Sequence, residues 1–130
     1  MIYTPSEDSF LLAECVGHYR GKSALEMGVG SGIILEALEH HFDNVAGTDI
    51  DLEALRSCRR MTSGLLVCCD AASAFASKKR FDLIVSNPPY LPEDKGVIDR
   101  TVHGGPSGIE TTVKFIDSAL ALLADSGRII

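Results

Sequence analysis

Apolar residues in this chain fall into two kinds of segment. Short runs in which almost every position is apolar, such as Leu83–Val85, are typical of strands buried on both faces of a sheet. Longer segments with apolar residues three and four positions apart are typical of helices that bury one face. The clearest helical pattern consists of Ile109, Val113, Ile116, Leu120 and Leu123. The two kinds of segment alternate along the chain.

Turn and capping residues limit these segments. Ser6 can cap a first helix whose first turn carries Glu7 and Asp8, and Gly127 is expected to stop the last helix. The predicted helices cover residues 6–17, 31–42, 51–61, 71–77 and 109–127. The predicted strands cover Ser23–Met27, Asn44–Thr48, Leu65–Cys69 and Phe81–Ser86, and a fifth strand begins at Arg128.

Strands that alternate with helices indicate β-α-β units, which form a parallel sheet through right-handed crossovers. A length of 130 residues and a hydrophobic content of 45% suit one domain, residues 1–130. We therefore predict an α/β fold with an open, mostly parallel sheet and helices on both faces. Because the chain ends just as the fifth strand begins, we expect the sheet to be truncated there.

Charge and cysteine content restrict the function classes. The 12 basic and 18 acidic residues give a net charge of −6, which argues against a partner bound chiefly through its phosphates and suits a cationic ligand or a protein substrate. Residues 1–10 carry no basic segment followed by an apolar one, and apolar runs are short, so we expect a cytoplasmic location and no membrane partner. The four cysteines form no C-x-x-C pair, so we expect reduced core cysteines and no metal site.

A glycine-rich stretch follows the first predicted strand. Gly28, Gly30 and Gly32 have the spacing G-x-G-x-G, which allows positive φ angles and a close approach of a ligand to the backbone. A tight turn with no ligand explains the same spacing equally well. Asp49, at the end of the second strand, favours a ligand, because an acid there can accept both hydroxyls of a ribose lying over the glycines. Asp51 competes for this role, although it is more naturally the cap of the next helix.

Polar residues also end the other strands. Asp70 follows the third strand, where its carboxylate can accept from an adenine amino group or cap a helix. Glu26, Asp49, Asp70 and Asn87 thus lie at the carboxyl ends of successive strands, the rim where open α/β sheets bind ligands. Three carboxylates near one site favour a ligand with positive charge.

The fourth strand runs into the sequence Ser86-Asn87-Pro88-Pro89-Tyr90. Two prolines cannot continue a hydrogen-bonded ladder, so the strand stops and a stiff turn presents an amide and an aromatic ring. A planar substrate –NH2 has two N–H donors, which the Asn87 side-chain oxygen and the Pro88 carbonyl can accept while Tyr90 covers one face. No general base is evident, and His103 in the following loop is left out of the catalytic set.

These motifs resemble those of a known family. With N-P-P-Y, the glycine loop and the opening P-S-E-D-S-F-L-L, the chain is similar to the class I S-adenosylmethionine-dependent methyltransferases. More narrowly, it resembles the release-factor glutamine N5-methyltransferases of the eukaryotic and archaeal type, from Tyr3 through T-D-I-D to His103–Glu110. The resemblance implies a Rossmann-like class I methyltransferase fold and methyl transfer from S-adenosylmethionine to the side-chain amide nitrogen of the glutamine in the Gly-Gly-Gln loop of a translation release factor.

The resemblance also implies roles for individual residues. The implied cofactor-binding residues are Ser9, Glu26, Gly28, Gly30, Asp49, Asp70 and Ala71. Among them, Glu26 and the glycines shape the methionine end, Asp49 holds the ribose, and Asp70 meets the adenine. The implied catalytic and substrate-binding residues are Asn87, Pro88, Pro89 and Tyr90.

Two other functions fit the same residues. An N-P-P-Y turn serves any planar amino group, so an amino methyltransferase acting on adenine or guanine of DNA or RNA is one alternative, for which a basic groove is expected. A catalytically silent, cofactor-binding scaffold domain is the other. The loop from Leu91 to Gly108 is long for an α/β connection, and we expect it to be a mobile substrate-recognition lid.

The resemblance further implies a partner. Enzymes of this type often form heterodimers with a small zinc-binding activator protein. Leu65–Cys69 is expected to be an edge strand that is apolar on both faces, and such edges invite pairing with another chain. Flanking helices that cover the strand explain its apolar residues equally well.

Overall fold

The computed structural model describes residues 5–93, 96 and 98–130. Tyr3 and Thr4, and residues 94, 95 and 97 of the predicted lid, lie outside the described residues. The described helices are α1 (Glu7–Val16), α2 (Ile33–Glu39), α3 (Leu52–Cys58) and α4 (Glu110–Leu120). The described strands are β1 (Gly21–Met27), β2 (Phe42–Asp49), β3 (Leu65–Cys68), β4 (Phe81–Ser86) and β5 (Leu123–Ile129).

The strands form one five-stranded sheet in the order β3-β2-β1-β4-β5. Every pair of neighbouring strands is parallel. The predicted α/β class and parallel sheet are therefore confirmed. The order of the strands reverses beside β1, and in open α/β sheets the ligand crevice lies outside the carboxyl ends of the strands at such a point.

The two faces of the sheet contribute to separate cores, because alternate side chains of a strand point in opposite directions. Ala24 and Leu83 pack with side chains of α1, α2 and α3 on one face. Leu25 and Ile84 pack on the other face with Ala119 of α4 and with the segment that follows β3. Helices thus lie on both faces of the sheet, as predicted.

The predicted helix over residues 71–77 is wrong. The segment forms turns, and Ala71 has a left-handed backbone with a φ of 50°. Its alanine content favours a helix, but so short a helix is marginal without supporting contacts. The contacts of this segment support the turn instead, because the Ala72 N–H donates to the Ser118 hydroxyl of α4 at 3.1 Å.

The predicted boundary between the last helix and the last strand is also wrong. Helix α4 ends at Leu120 and not at Gly127, and β5 is seven residues long, so the chain does not end as its fifth strand begins. Phe81 pairs with Leu123 but Leu83 pairs with Arg128, so β5 is irregular between these pairs. This irregular part contains polar residues, which interrupt the apolar run by which a buried strand is recognised in the sequence.

The apolar stripe of α4 lies on the exposed side of the helix. Ile109 and Leu120 are 64% and 58% exposed. The helix meets the sheet instead through Phe115 and Ala119. The sequence pattern therefore identified a shared helix face but not the buried one.

Two local predictions need correction. Ser6 stands at the N-cap of α1, but its side chain makes no capping bond to the helix and its hydroxyl donates to the Asp8 carboxylate. All four cysteines are free, as expected, but only Cys58 is fully buried, and Cys68 is exposed at the end of β3. Within the described ranges, no helix is long and apolar enough to cross a membrane.

Candidate active site

The glycine loop between β1 and α2 is held against β2. The N–H groups of Gly28 and Val29 both donate to the carbonyl of Thr48, at 2.8 and 3.0 Å. Gly28 has a φ of 77° and Gly30 a φ of 49°, the left-handed region in which a side chain is strained. The loop therefore turns sharply at the carboxyl end of β1 and leaves its backbone open to the space above the sheet.

Asp49 joins this loop to the end of β2. Its Oδ2 accepts the Gly30 N–H at 3.0 Å, and its Oδ1 accepts the Asp51 N–H at 2.9 Å. Asp51 is the cap of α3, because its side chain accepts the Glu53 N–H at 2.9 Å. Each oxygen of a carboxylate has two acceptor positions, so each Asp49 oxygen retains one for a ligand hydroxyl.

Glu26 lies in β1 beneath the glycine loop. The side chain is only 2% exposed, and its Oε1 has no hydrogen-bond partner within the described part of the chain. Burial raises the pKa of the Glu26 carboxyl well above its usual value, the Asp49 charge adds to the shift, and a backbone hydrogen bond from Leu35 opposes it. The site thus contains a buried carboxyl that is stabilised in its neutral form, and a ligand with positive charge would favour its ionised form.

Asp70 and Ala71 form the third side of the site. No helix begins at Ala71, so the interpretation of Asp70 as a helix cap is wrong. The Asp70 Oδ2 instead accepts from the Lys114 Nζ of α4 at 2.9 Å, and the Ala71 carbonyl accepts from the buried Thr48 hydroxyl at 2.6 Å. These bonds tie the end of β3 to β2 and to α4.

The N-P-P-Y turn, Asn87–Tyr90, leaves the carboxyl end of β4 beside the glycine loop. Just before it, the Ser86 hydroxyl donates to the Met27 carbonyl at 2.9 Å, which holds β4 and β1 together at this end. The Asn87 Nδ2 donates to Oδ2 of Asp8 in the first turn of α1, at 3.3 Å. Tyr90 is 62% exposed.

The described part of the loop after this turn packs back on it. The Leu91 N–H donates to the Val102 carbonyl at 2.8 Å, and the Gly104 N–H donates to the Leu91 carbonyl at 3.0 Å. A side chain at Gly104 would overlap the Pro89 carbonyl oxygen, so the loop backbone approaches the turn more closely than any other residue would allow. His103 lines the same space.

These elements enclose one cleft of about 1060 Å³ at the carboxyl ends of the strands. Every predicted site residue lines it: Ser9, Glu26, Gly28, Gly30, Asp49, Asp70, Ala71, Asn87, Pro88, Pro89 and Tyr90. Lining residues that sequence reasoning did not assign to the site include Asp8, Lys114 and Phe115. Asp8 was interpreted only as a helix-dipole charge, and the two α4 residues fall between the positions of its apolar stripe. Across the described part of the chain, no group of three or more His, Cys, Asp or Glu side chains is placed to hold a metal ion.

Comparison with known proteins identifies the family. The family model "Methyltransferase small domain" matches residues 6–130. The chain belongs to this family. A putative protein N5-glutamine methyltransferase of Methanocaldococcus jannaschii is 30% identical over 124 residues, which cover 88% of this chain and 63% of that protein. A tRNA1(Val) (adenine(37)-N6)-methyltransferase of Pedobacter heparinus is 32% identical over 133 residues, covering 93% of this chain and 56% of the relative.

One solved structure is also similar to this chain. It is the E. cuniculi Mtq2–Trm112 complex, described as responsible for methylation of the eRF1 translation termination factor. It superposes with a TM-score of 0.76 at 31% identity, covering 90% of this chain and 68% of the matched chain. The Rossmann-like methyltransferase fold predicted for this chain is therefore confirmed. This chain spans 56% to 63% of the length of the two curated relatives named above.

Proposed function

We propose that this chain is the catalytic domain of an S-adenosylmethionine-dependent N-methyltransferase that acts on the glutamine side-chain amide of a translation release factor, in its Gly-Gly-Gln loop. One observation carries the proposal: the N-P-P-Y turn and the glycine loop line the same cleft, at the carboxyl ends of β4 and β1. The likeness to a glutamine methyltransferase and to a complex that methylates eRF1 supports this choice of substrate.

The residues on the cofactor side of the cleft fit S-adenosylmethionine. The carboxylate of Asp49 favours a ligand with positive charge, and so does the buried Oε1 of Glu26, which has no partner among the described residues. Ser9, Gly28 and Gly30 line the same cleft and are proposed to hold the methionine group. Asp49 keeps one acceptor position on each oxygen for the ribose hydroxyls.

The adenine end of the proposed site lies at Asp70 and Ala71. Lys114 already occupies one oxygen of Asp70, so the adenine amino group is proposed to use the other oxygen or an acceptor position that Lys114 leaves open. Ala71 contributes its backbone, which the Thr48 hydroxyl holds in place through the carbonyl.

The N-P-P-Y turn is proposed to bind and orient the substrate nitrogen. The Asn87 Oδ1 and the Pro88 carbonyl accept its two N–H groups, and Pro89 fixes the turn so that Tyr90 covers one face of the planar amide. S-adenosylmethionine supplies an electrophilic methyl group on a positively charged sulfur. A carboxamide nitrogen is a poor nucleophile, so orientation by these residues must do much of the work, and near-attack positioning can contribute roughly 7–11 kcal/mol.

A small zinc-binding activator protein is proposed as a partner, bound through β3. This strand lies at the edge of the sheet, and Leu65 is 58% exposed, which supports pairing with another chain. The complex of the structural relative, Mtq2 with Trm112, supports a heterodimer. Because translation terminates in the cytoplasm, the proposed substrate also leads us to expect a cytoplasmic location.

The proposal is tested by mass spectrometry of a Gly-Gly-Gln release factor incubated with S-adenosylmethionine and this chain, with and without a zinc-binding partner. We expect a single methyl group on that glutamine, and its loss in Asn87→Ala. The matched control is Asn44→Ala, because Asn44 is an exposed asparagine on β2 that does not line the cleft.

An amino methyltransferase acting on adenine is the second candidate, supported by the likeness to a tRNA adenine methyltransferase. A parallel incubation with tRNA and with single-stranded oligonucleotides tests it. Methyl transfer to a base but not to the release factor would contradict the glutamine proposal. Tight cofactor binding without any transfer would favour a scaffold domain.

A further inference from the structure

A side-chain contact joins α1 to the N-P-P-Y turn across 79 residues of sequence. The Asn87 Nδ2 donates to the Asp8 Oδ2 at 3.3 Å, and both side chains line the cleft. This distance is long for a hydrogen bond to a carboxylate, which is usually 2.7–2.9 Å. Catalytic hydrogen bonds often tighten only when the substrate is bound, so the contact has room to shorten.

This contact determines which end of the Asn87 amide faces the substrate. A carboxylate only accepts hydrogen bonds, so it holds the NH2 end of the amide. If the amide rotated by half a turn, its oxygen would lie against the Asp8 Oδ2, and two acceptors would repel each other. The acceptor end, Oδ1, therefore points away from Asp8, which is the orientation that a substrate –NH2 requires.

Asp8 is itself held from the other side. Its Oδ1 accepts the Ser9 N–H at 2.9 Å and also accepts from the Ser6 hydroxyl. One carboxylate oxygen is thus tied to the start of α1 while the other meets Asn87. A charged acceptor also polarises the amide that donates to it, which makes the opposite oxygen a stronger acceptor.

We propose that Asp8 is a positioning residue for methyl transfer, which orients the Asn87 amide so that Oδ1 accepts from the substrate nitrogen. This inference rests on the proposed function of the cleft. It assigns to the start of α1 a role in substrate recognition, in addition to its packing against α2.

The first test is structural and needs no activity. In nitrogen–proton correlation spectra, the side-chain amide pair of Asn87 is assigned by its absence in Asn87→Ala. We expect the pair to move in Asp8→Ala, because a proton bonded to a carboxylate is deshielded. The control Glu7→Ala removes an exposed acid from the same turn of α1 and should leave the pair unmoved. An unchanged pair in Asp8→Ala would overturn the proposal.

The second test is a double-mutant cycle on methyl transfer to the release factor, with Asp8→Ala, Asn87→Ala and both together. We expect Asp8→Ala to lower kcat about 10- to 100-fold, the range for a hydrogen bond to a charged group. In the Asn87→Ala background the same change should alter kcat by less than about 2-fold, because the oriented group is gone. Asp8→Asn can still present an oxygen to Asn87 and should lose less than Asp8→Ala.

Further measurements separate positioning from other roles. The Kd for S-adenosylhomocysteine should be the same for Asp8→Ala and the unaltered chain. A Kd that rises as much as kcat falls would assign Asp8 to the cofactor and overturn the proposal, and so would additive losses in the cycle. If the unaltered chain methylates neither the release factor nor a nucleic acid, the proposed function fails, whereas a shifted Asn87 pair still supports the orienting contact.

Discussion

Glu26 gives this protein a pH-dependent stability that a single substitution should remove. The carboxyl is buried near the carboxyl end of β1, the central strand, and its Oε1 has no partner among the described residues. Burial and the Asp49 charge raise the pKa of the Glu26 carboxyl against the effect of the Leu35 backbone. The change Glu26→Gln keeps the shape of the side chain and removes its titration.

The direction of this pH dependence follows from the number of protons that the folded and the unfolded states bind. Between the ordinary pKa of 4.5 and the raised pKa of the folded protein, the folded state keeps a proton that the unfolded chain has lost. The contribution of Glu26 to the free energy of unfolding is therefore fully present below the ordinary pKa. It falls by about 1.4 kcal/mol per pH unit as the pH rises towards the folded pKa, and then becomes constant.

The assay is urea denaturation of the unaltered chain and of Glu26→Gln from about pH 5 to about pH 8, followed by circular dichroism. The unaltered chain should lose stability relative to Glu26→Gln as the pH rises. Saturating S-adenosylmethionine should reduce this slope, because a positive ligand favours the ionised carboxyl. Glu36→Gln, on the exposed side of α2, is the control: it keeps Glu26, so it should lose stability with rising pH as the unaltered chain does. If the free energies of unfolding of the unaltered chain and of Glu26→Gln change with pH in the same way over this range, the reasoning is refuted.

Three further predictions follow from packing and exposure. Gly47→Ala would place a Cβ 2.5 Å from a methyl of Val29, and should lower the free energy of unfolding by about 1–3 kcal/mol in urea denaturation; unchanged stability would contradict the observed packing. Burial raises the pKa of the Cys58 thiol to about 11, and the nearby Glu26 and Asp49 carboxyls add to the shift. Iodoacetamide near pH 8 should therefore label exposed Cys68 and spare Cys58 until the protein unfolds. Equal labelling in peptide mass spectra would be inconsistent with that. Gly104→Ala should displace the loop from the N-P-P-Y turn and lower kcat by about 10-fold or more. A kcat and a Tm equal to those of the unaltered chain would speak against the close contact of Gly104 with Pro89.

The position of the candidate site could be predicted from the sequence because it depends on chain direction more than on packing. In a parallel sheet every strand runs the same way, so the residues that follow the strands meet at one edge. Asp49, Asp70 and Asn87 line one cleft for this reason, although they are far apart in sequence. The bounds of β4, Phe81–Ser86, could also be predicted, because they depend only on neighbouring residues. An apolar run there is ended by two prolines that cannot continue the hydrogen-bonded ladder.

Other features could not be predicted because they depend on contacts between distant parts of the chain. The turn after Asp70 replaces a helix, and its Ala72 N–H donates to Ser118 of α4. The apolar stripe of α4 is exposed, since periodicity shows which residues share a face but not which face meets the sheet. Strand β5 is longer than predicted. Its irregularly paired part contains polar residues, which the sequence pattern of a buried strand does not include.

The sequence by itself determined the alternation of strands and helices, the glycine loop and the chemistry at the strand ends, because these follow from local pattern and backbone geometry. Only the tertiary structure decided which partners the site residues have. The contact of Asp8 with Asn87 spans 79 residues, and that of Lys114 with Asp70 spans 44. Such pairs form because the fold brings distant segments together, and the sequence of one segment does not indicate which other segment it will contact.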